Sequence, residues 1–495
     1  MLFEELLFMY LGLDLGTSGL KAVLCNEEQQ IIAQNNVSLS VSRPRPKWSE
    51  QDPQDWWNAT VSALNELSKT HPSELLQVKS IGLAGQMHGA VLLDENGDVL
   101  RPAILWNDVR SAAECEELEE LEPEFKELSG NPIFPGFTAP KLLWVAKHEP
   151  KIFAKVAKVL LPKDYLRFRL SGEYISEMSD AAGTLWLDID KRQWSEKLLA
   201  VTKLNISHMP SLVEGSSQGG RISDGIANEF GLQKDVIIAG GAGDNAGGAI
   251  GVGAVSPGQA FISLGTSGVI FLCNETFLPK PQEAVHSFCH ALPNSWHQMS
   301  VMLNAASCLD WVANLTNSKD VPTLLTEIDA IADEPSEVIF LPYLTGERTP
   351  HNNADAKGVF FGMSATTTSA SLGLAVLEGV AFAFADGLDS LLNSGAKIDR
   401  ISLIGGGGRS EQWAQILADV LEQELICHED SESGPAFGAA RLARLAVTGE
   451  DFSVVCTTPP VKNIIKPNPD KQPYYHSRLK RFRRLYQSLK SEFSA

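Results

Sequence analysis

The sequence lacks the marks of a secreted or membrane-spanning protein. Its seven cysteines are scattered over 495 residues, odd in number and without a Cys-x-x-Cys pair, so a disulfide framework is not expected. No stretch approaches the roughly 18 consecutive apolar residues of a transmembrane helix. The apolar segment before Met9, an alternative start to Met1, carries Glu4 and Glu5 and no basic region, unlike a signal peptide. We therefore expect a cytoplasmic protein with no membrane partner.

Positive charge is also scarce. The chain has 41 basic and 61 acidic side chains, and a formal net charge of −20 does not attract nucleic acid. An anionic ligand such as ATP would need local groups, namely backbone N–H groups, hydroxyls and Mg²⁺. The exception is the basic run 476–490. It could be an arm for membrane or nucleic acid, but the pattern favours an amphipathic terminal helix with Leu479 and Phe482 on its apolar face and Arg478 and Arg483 on a solvated cationic face.

Two common nucleotide-binding motifs are missing or weak. The dipeptide Gly-Lys occurs nowhere in the chain, which excludes a Walker A phosphate loop. The segment Gly241–Ala246 fits Gly-x-Gly-x-x-Ala, but a single match of this kind is weak evidence for a nicotinamide cofactor. That interpretation also gives no role to an internal repeat elsewhere in the chain.

The repeat is the most informative feature that is present. Leu15–Gly19 recurs as Leu264–Gly268, and apolar, strand-like residues flank both copies. This pattern predicts two β-hairpins with tight, hydroxyl-rich turns. A chain of this length should form two large domains, each beginning with one hairpin, so we predict domains at 9–255 and 256–495.

The rest of the chain alternates strand-like and helix-like segments. Val78–Leu83 and Ile401–Ile404 have the composition of buried strands, whereas Pro53–Lys69 and Glu411–Leu421 have that of helices. This alternation predicts an α/β architecture. Since no long linker separates the halves, we expect them to pack closely around a cleft.

The repeated turns suit phosphate binding. Their glycines allow close backbone approach, and N–H groups and hydroxyls supply donors, so two facing turns could hold a triphosphate. The copies differ where Asp14 replaces Ser263, and a single carboxylate beside phosphates suits a Mg²⁺ shell. Chance recurrence of ordinary turns is the alternative.

Two glycine-rich segments add candidate groups. Gly405–Gly408 follows a strand and could lie against a base and ribose, with Ser410 capping the next helix; a plain flexible turn is equally compatible. The second segment is Ala239–Asn245, which follows a predicted strand. Asp244 lies at the end of its glycine-rich turn, where it could act as a general base or as a helix N-cap.

Taken in order, these segments resemble the FGGY family of carbohydrate kinases. Asp14–Lys21 resembles the first phosphate loop, Ser263–Gly268 the second, and Ile404–Ser410 the adenosine loop. Gly136–His148 fits the family's first signature and Gly358–Glu378 its second, except at Ser371, where the family usually has an acidic, amide or His residue.

The resemblance implies an actin-like fold of two RNase H-like domains, with ATP and Mg²⁺ as cofactors. It implies that Asp244 is the catalytic base and that Asp14 acts beside it, holding Mg²⁺ directly or through water. The implied ATP-binding residues are Gly16, Thr17, Ser18, Lys21, Gly265, Thr266, Gly406, Gly407 and Ser410.

Within the family, Gln86–Gly89 resembles the substrate loop of xylulokinases, which implies phosphorylation of D-xylulose at O5 in D-xylose catabolism. The implied sugar-binding residues are Gln86, Met87, His88, Trp106, Asn107, Asp108 and Asn245. Kinases of gluconate, ribulose or glycerol, and a non-catalytic ATP-binding protein, are alternatives. The oligomeric state is open, a homodimer included. His286, Cys289 and His290 lack the second cluster that a zinc site needs, so we predict a strand there.

Overall fold

Two halves, each built around a seven-stranded mixed sheet, make up the computed structural model, which describes residues 8–331, 336–429 and 434–493. The strands of the first sheet are β1 Met9–Leu15, β2 Gly19–Asn26, β3 Ile31–Ser38, β4 Val78–Gly85, β5 Gln218–Arg221, β6 Ile237–Ala239 and β7 Ala242–Gly243. Those of the second are β8 Gln259–Leu264, β9 Gly268–Asn274, β10 His286–Cys289, β11 Trp296–Met302, β12 Arg400–Ile404, β13 Leu425–His428 and β14 Val461–Ile465.

Short strand pairs lie outside the two sheets. They are Glu50–Gln51 with Ala103–Ile104, Val91–Leu93 with Lys158–Leu160, Ile175–Glu177 with Ser211–Val213, Leu187–Asp188 with Gln193–Trp194, and Ile339–Leu341 with Val359–Phe361.

Helices cover and connect the sheets. Those up to residue 252 are α1 Pro53–Thr70, α2 Pro72–Leu75, α3 Ala112–Leu121, α4 Phe125–Ser129, α5 Thr138–His148, α6 Pro150–Phe153, α7 Pro162–Ser171, α8 Met178–Ala182, α9 Glu196–Val201, α10 Asp224–Phe230 and α11 Asp244–Val252. Those that follow are α12 Ser307–Leu315, α13 Val321–Asp329, α14 Ser369–Leu392, α15 Glu411–Leu421, α16 Pro435–Thr448, α17 Phe452–Val455 and α18 Gln472–Leu489.

The repeated segments form the predicted hairpins at equivalent places in the two sheets. The strand order is β5-β6-β4-β1-β2-β3 in the first sheet, with β7 also paired to β4, and β10-β11-β9-β8-β12-β13-β14 in the second. In each sheet the first hairpin strand pairs antiparallel with its partner and parallel with a later strand, β4 or β12. The predicted strands and helices at 78–83, 401–404, 53–69 and 411–421 are all confirmed.

Local chemistry explains where the confirmed helices begin. Asp52 caps α1 by accepting a hydrogen bond from Gln54 N, and Pro53 occupies the first helical position. The helix then buries Trp56 and Leu64 against the first sheet.

Helix α14 is long and apolar enough to cross a membrane by length and composition, but 89% of the apolar window within it is buried inside the protein.

Helix α16 joins the two halves. In the chain it lies between β13 and β14 of the second sheet, yet it packs on β1, β4 and α11 of the first half. The approach is close: a Cβ on Gly12 would lie 1.9 Å from Ala436 O, and one on Gly82 would lie 1.8 Å from Ala439 O. Only glycine fits at these two positions, because the opposing atoms are backbone. The division at 255/256 separates the sheets but not all of the packing, and it stays a prediction.

The C-terminal segment forms the predicted amphipathic helix as α18, with Phe482 buried against the second core. The prediction of a wholly solvated cationic face is wrong. Arg478 is buried and donates to Glu378 Oε2 at 2.5 Å and to Val338 O at 2.6 Å, and Arg483 donates to Asp386 Oδ1 at 2.6 Å. Buried carboxylates on α14 recruit these two cations, which a helical pattern alone does not reveal.

Candidate active site

Two cavities meet at Asp244, between the two halves. The larger, about 1060 Å³, lies against α11, the glycine turn after β12, and strands β13 and β14. The smaller, about 270 Å³, is lined by residues of both halves, including Met87, His88 and Trp106. Asp244, Asn245 and Val269 line both cavities. A single carboxylate therefore faces a space large enough for a nucleotide and another that suits a small sugar.

Asp244 is the first residue of α11, reached from β6 through a turn at Gly240 and Gly241 and the short strand β7. The N-cap is Gly243, so the N-cap alternative for Asp244 is wrong. Its Oδ1 accepts from Asn245 N at 2.7 Å and from Asn245 Nδ2 at 3.0 Å. Burial raises the pKa of Asp244 to about 6, although these hydrogen bonds oppose the rise. Such a carboxylate is ionised at neutral pH and basic enough to take a hydroxyl proton late in a reaction.

The backbone before Asp244 is held from both sides. The buried Arg167 guanidinium donates to Gly219 O at 2.5 Å, to Ala239 O at 2.8 Å and to Gly240 O at 2.5 Å. From the other side, Ser179 Oγ accepts from Gly243 N at 3.0 Å. These bonds fix the turn on which Asp244 is mounted.

Asp14 lies near the end of β1 with an unusual environment. Its Oδ1 is buried and makes no hydrogen bond in the part of the chain that the structure describes. Burial and the charge of Asp244 raise the pKa of Asp14 to about 7, while Lys21, opposite on β2, lowers it. Two neighbouring carboxylates with an orphaned oxygen are chemically suited to a divalent cation.

The first turn connects to the small cavity through Thr17. Its Oγ1 accepts from Trp106 Nε1 at 2.9 Å and donates to Gln86 Oε1 at 2.8 Å, and Gln86 Nε2 donates to Gln51 Oε1 at 2.9 Å. Gln86 is therefore satisfied within the protein and does not line the small cavity. It positions Thr17, so it is not itself a direct contact for a sugar in this arrangement.

The second turn is anchored through its carbonyl groups. Ala306 N donates to Gly265 O at 2.8 Å and Ala305 N donates to Thr266 O at 3.0 Å. The adjoining residue Ser267 lines the small cavity, so this turn lies beside the sugar-sized space as well as the cleft.

The large cavity only partly matches the predicted nucleotide residues. Gly406 lines it, whereas Gly16, Thr17, Ser18, Lys21, Gly265, Thr266, Gly407 and Ser410 are outside its lining. Ser410 caps α15, accepting from Trp413 N at 3.3 Å, which supports its alternative role as a cap. Ser263 of β8, the first residue of the second predicted phosphate loop, also lines the cavity. Sequence patterns missed Glu411, His428 and Lys462, and the last two come from strands that only the fold brings to the cleft.

Only some of the predicted sugar-binding residues line the small cavity. Met87, His88, Trp106 and Asn245 line it; Asn107 and Asp108 do not. Asp108 is a correction: its Oδ2 accepts from Ser49 N at 2.6 Å and from Arg110 Nη2 at 2.6 Å, so it is occupied in a buried ion pair. The arginine two residues later in the sequence was the signal for this structural role.

His88 is held in a strained loop over the small cavity. Its φ is +69°, and its carbonyl accepts from Lys141 Nζ at 2.9 Å and Thr138 Oγ1 at 3.0 Å. Its Nδ1 lies 2.7 Å from Gly183 O, and because a carbonyl only accepts, Nδ1 carries the proton. Burial lowers the pKa of His88 to about 3. Nε2 is consequently a neutral acceptor, suited to a sugar hydroxyl.

Several lining residues of the small cavity were missed. They are Phe134, Gly136, Phe137, Ser267, Val269, His286, Phe288, Met299, Val301 and Arg348. Phe137 lies within the first family signature, which was a usable signal. His286 does lie in a strand, β10, and its Nδ1 is 3.3 Å from Asn131 Oδ1. Arg348 carried no local signal, since only the fold brings it to the cavity.

Solved structures share this architecture over nearly the whole chain. A xyloylose kinase from Brucella ovis is 50% identical, with a TM-score of 0.95 and coverage of 98% of this chain and 99% of that chain. A xylulose kinase from Rhodospirillum rubrum is 28% identical, with a TM-score of 0.92 and coverage of 98% and 100%. A gluconate kinase from Lactobacillus acidophilus, 23% identical with a TM-score of 0.92, covers 99% of both chains and shows the fold alone. The predicted actin-like α/β fold with two similar domains is confirmed.

Curated sequences agree with the structural neighbours. The chain is 53% identical to the xylulose kinase of Escherichia coli (strain K12), over 97% of this chain and 99% of that protein. It is 37% identical to the xylulose kinase of Bacillus subtilis (strain 168), over 88% and 87%. The profile of the FGGY family of carbohydrate kinases matches residues 9–251 with its N-terminal domain and 260–447 with its C-terminal domain. The chain therefore belongs to the FGGY family of carbohydrate kinases.

Proposed function

We propose that this kinase transfers the γ-phosphoryl group of MgATP to O5 of D-xylulose, in the cytoplasm, as a step of D-xylose catabolism. The observation that carries the proposal is the position of Asp244, which faces both a nucleotide-sized and a sugar-sized cavity. The 53% identity to a xylulose kinase supports the choice of sugar. So does the small cavity, whose His88 and Asn245 offer polar atoms to hydroxyls between apolar walls.

In this mechanism Asp244 binds the hydroxyl group of the sugar that accepts the phosphoryl group. One carboxylate oxygen is engaged by Asn245, which leaves the other to orient O5 and to receive its proton as the phosphoryl group arrives. The P–O bond to ADP breaks while the bond to O5 forms, through a loose transition state that gains most from positioning and charge neutralisation. His88 Nε2 accepts from a second hydroxyl and fixes the sugar's orientation.

The phosphates lie between the repeated turns in this proposal. Asp14 would hold Mg²⁺, directly or through water, and the cation would neutralise phosphate charge. It would also stabilise the ionised form of Asp14, whose pKa burial and the charge of Asp244 raise to about 7. We assign the main-chain groups of Thr17, Ser18, Gly265 and Thr266 to the triphosphate. We assign Gly406, which lines the large cavity, and its neighbour Gly407 to the adenosine. The indole of Trp106 and the amide of Gln86 keep Thr17 in place.

A substrate screen tests the proposal. Release of ADP in the presence of Mg²⁺ is measured with D-xylulose, D-ribulose, gluconate and glycerol. We expect D-xylulose to give the highest kcat/KM. A higher value for gluconate or glycerol would reject the sugar assignment, and the absence of ADP release with every acceptor would favour a non-catalytic ATP-binding protein.

A further inference from the structure

Arg348 enters the small cavity from the second half of the molecule. Its guanidinium carbon lies 5.4 Å from the ring centroid of Phe134, a residue of the first half, and it lines the cavity beside His88 and His286. Among the described residues, this guanidinium makes neither a hydrogen bond nor an ion pair. The partners of Arg348 are all on its backbone: its N–H donates to Glu347 Oε1 at 2.8 Å, and its carbonyl accepts from Asn352 N at 2.5 Å. A guanidinium is a set of five donors without an acceptor, so its partners must come from a ligand or from water.

The loop that carries Arg348 is fixed on both sides. Glu347 Oε1 also accepts from Leu303 N at 2.9 Å, and Thr349 Oγ1 accepts from Val301 N at 3.1 Å. Both contacts tie the loop to β11 and the residue after it. The side chain is therefore presented at a defined place although no protein group binds its charged end, which is the arrangement of a pre-organised ligand contact.

The chemistry of the proposed reaction indicates which ligand atom this contact suits. A 2-ketopentose closes its five-membered ring through O5, so a free O5 requires the open chain and leaves the C2 carbonyl free. Asp244 and the Nε2 atom of His88 accept hydrogen bonds and suit hydroxyl groups. A carbonyl oxygen can only accept, and it therefore requires a donor such as Arg348.

We propose that Arg348 is a specificity-determining residue that donates to the C2 carbonyl of an open-chain ketose and so sets which end of the sugar reaches Asp244. The two ends of a 2-ketopentose are both primary alcohols, and only the position of the carbonyl distinguishes them. With the carbonyl end held at Arg348, the distant C5 hydroxyl is the one that meets the base. The inference deepens the proposed function and rests on it for the identity of the sugar.

The test compares D-xylulose with xylitol, which has an alcohol in place of the carbonyl. Dissociation constants are measured by calorimetry for the full-length wild type and for Arg348→Met. Loss of a charged donor to a buried carbonyl should weaken D-xylulose binding about 10- to 100-fold and xylitol binding less than about threefold. The ³¹P spectrum of the product should change from D-xylulose 5-phosphate alone to a mixture that includes the 1-phosphate.

Two further variants control for charge and folding. Arg348→Lys keeps the cation without the planar fork and should be intermediate in D-xylulose affinity. Arg481→Met removes an exposed arginine that also lies over a phenylalanine, with its Cζ 5.3 Å from the Phe361 ring, and should leave both affinities unchanged. If Arg348→Met does not fold, the ketose-to-xylitol ratio is measured on Arg348→Lys.

The outcomes separate this inference from the proposed function. If Arg348→Met loses D-xylulose and xylitol binding equally and still makes the 5-phosphate as its sole product, the proposed role of Arg348 is overturned. The proposed function would still stand, provided that the wild type prefers D-xylulose in the substrate screen. A wild type that prefers gluconate or glycerol in the substrate screen would instead overturn the proposed function.

Discussion

The carboxylates of Asp14 and Asp244 are neighbours with different surroundings. Asp244 has Asn245 as a hydrogen-bond partner, whereas Asp14 Oδ1 has none within the described parts of the chain. The contrast suggests separate tasks, with Asp244 acting on the sugar hydroxyl and Asp14 on the phosphates through Mg²⁺.

Paired asparagine substitutions distinguish these tasks. Asp244→Asn should bind MgATP and D-xylulose nearly as the wild type does but lose roughly 10²- to 10⁴-fold in kcat, because the general base is gone. Asp14→Asn should lower every Mg²⁺-dependent activity, slow ATP hydrolysis without sugar included. Calorimetry of each ligand and turnover with and without D-xylulose, at several Mg²⁺ concentrations, separate the two. Phosphorylation near the wild-type rate in Asp244→Asn would remove that residue from catalysis.

The same pair predicts opposite pH effects on activity and stability. Since the pKa of Asp244 is about 6, kcat/KM should fall as the pH drops below that value. The pKa of Asp14 is raised to about 7, so its ionisation disfavours the folded state increasingly between about pH 4 and pH 7. Without Mg²⁺, Asp14→Asn should therefore melt higher than the wild type at pH 8, with a smaller difference at pH 5. Equal melting temperatures at pH 8 would contradict the prediction that the ionised carboxylate of Asp14 destabilises the folded state.

His88 gives a prediction about substrate affinity. Its Nε2 is a neutral acceptor toward the small cavity, so His88→Ala should raise the KM for the sugar by a factor that corresponds to about 1–3 kcal/mol and change the KM for ATP much less. Steady-state kinetics with each substrate varied in turn measures both values. Equal changes in the two constants would show that His88 serves the loop or the nucleotide.

At the scale of elements, the backbone of α16 comes so close to β1 and β4 that Gly12 and Gly82 have no room for a side chain. Gly82→Ala would place a methyl carbon 1.8 Å from Ala439 O, so the helix must move, and we expect the free energy of unfolding to fall by about 2 kcal/mol or more. Gly225→Ala is the matched control, because that exposed glycine in α10 has open space around its Cβ position and alanine favours helix. Urea titration of both variants is the measurement; a Gly82→Ala protein as stable as Gly225→Ala would contradict the close packing.

Elements with a strong local pattern could be predicted from the sequence. The hairpins, α1 and α15 each combine periodic apolar residues with turn or capping residues, and their bounds agree with prediction to within a few residues. The roles of polar side chains could not be predicted in the same way. Asp108 pairs with Arg110 and Arg478 pairs with Glu378, and those pairings depend on burial that only the packed structure creates.

At the scale of the whole molecule, the repeated pentapeptide predicted two domains of similar build, and the lack of a long linker predicted a cleft between them. Neither feature could predict the small cavity, because the walls come from segments far apart in the chain, such as Phe137, Phe288 and Arg348. Phe288 and Arg348 are ordinary residues in their local sequence, and Phe137 is marked only by the family signature that contains it. The aspartate that we propose as the base could be predicted because a glycine-rich turn precedes it, and the resemblance to the family pointed to Met87 and His88. Phe288 and Arg348 have no such local signal.

The packing of α16 has a consequence for synthesis on the ribosome. The first sheet is complete in sequence by residue 243, but the helix that covers β1 and β4 ends only at Thr448. A nascent chain must therefore wait on the order of tens of seconds, at usual rates of translation, before that face of the sheet can close. During this interval the face of the sheet that carries Gly12 and Gly82 is open to chaperones, and a chain cut after the first sheet would keep that face uncovered.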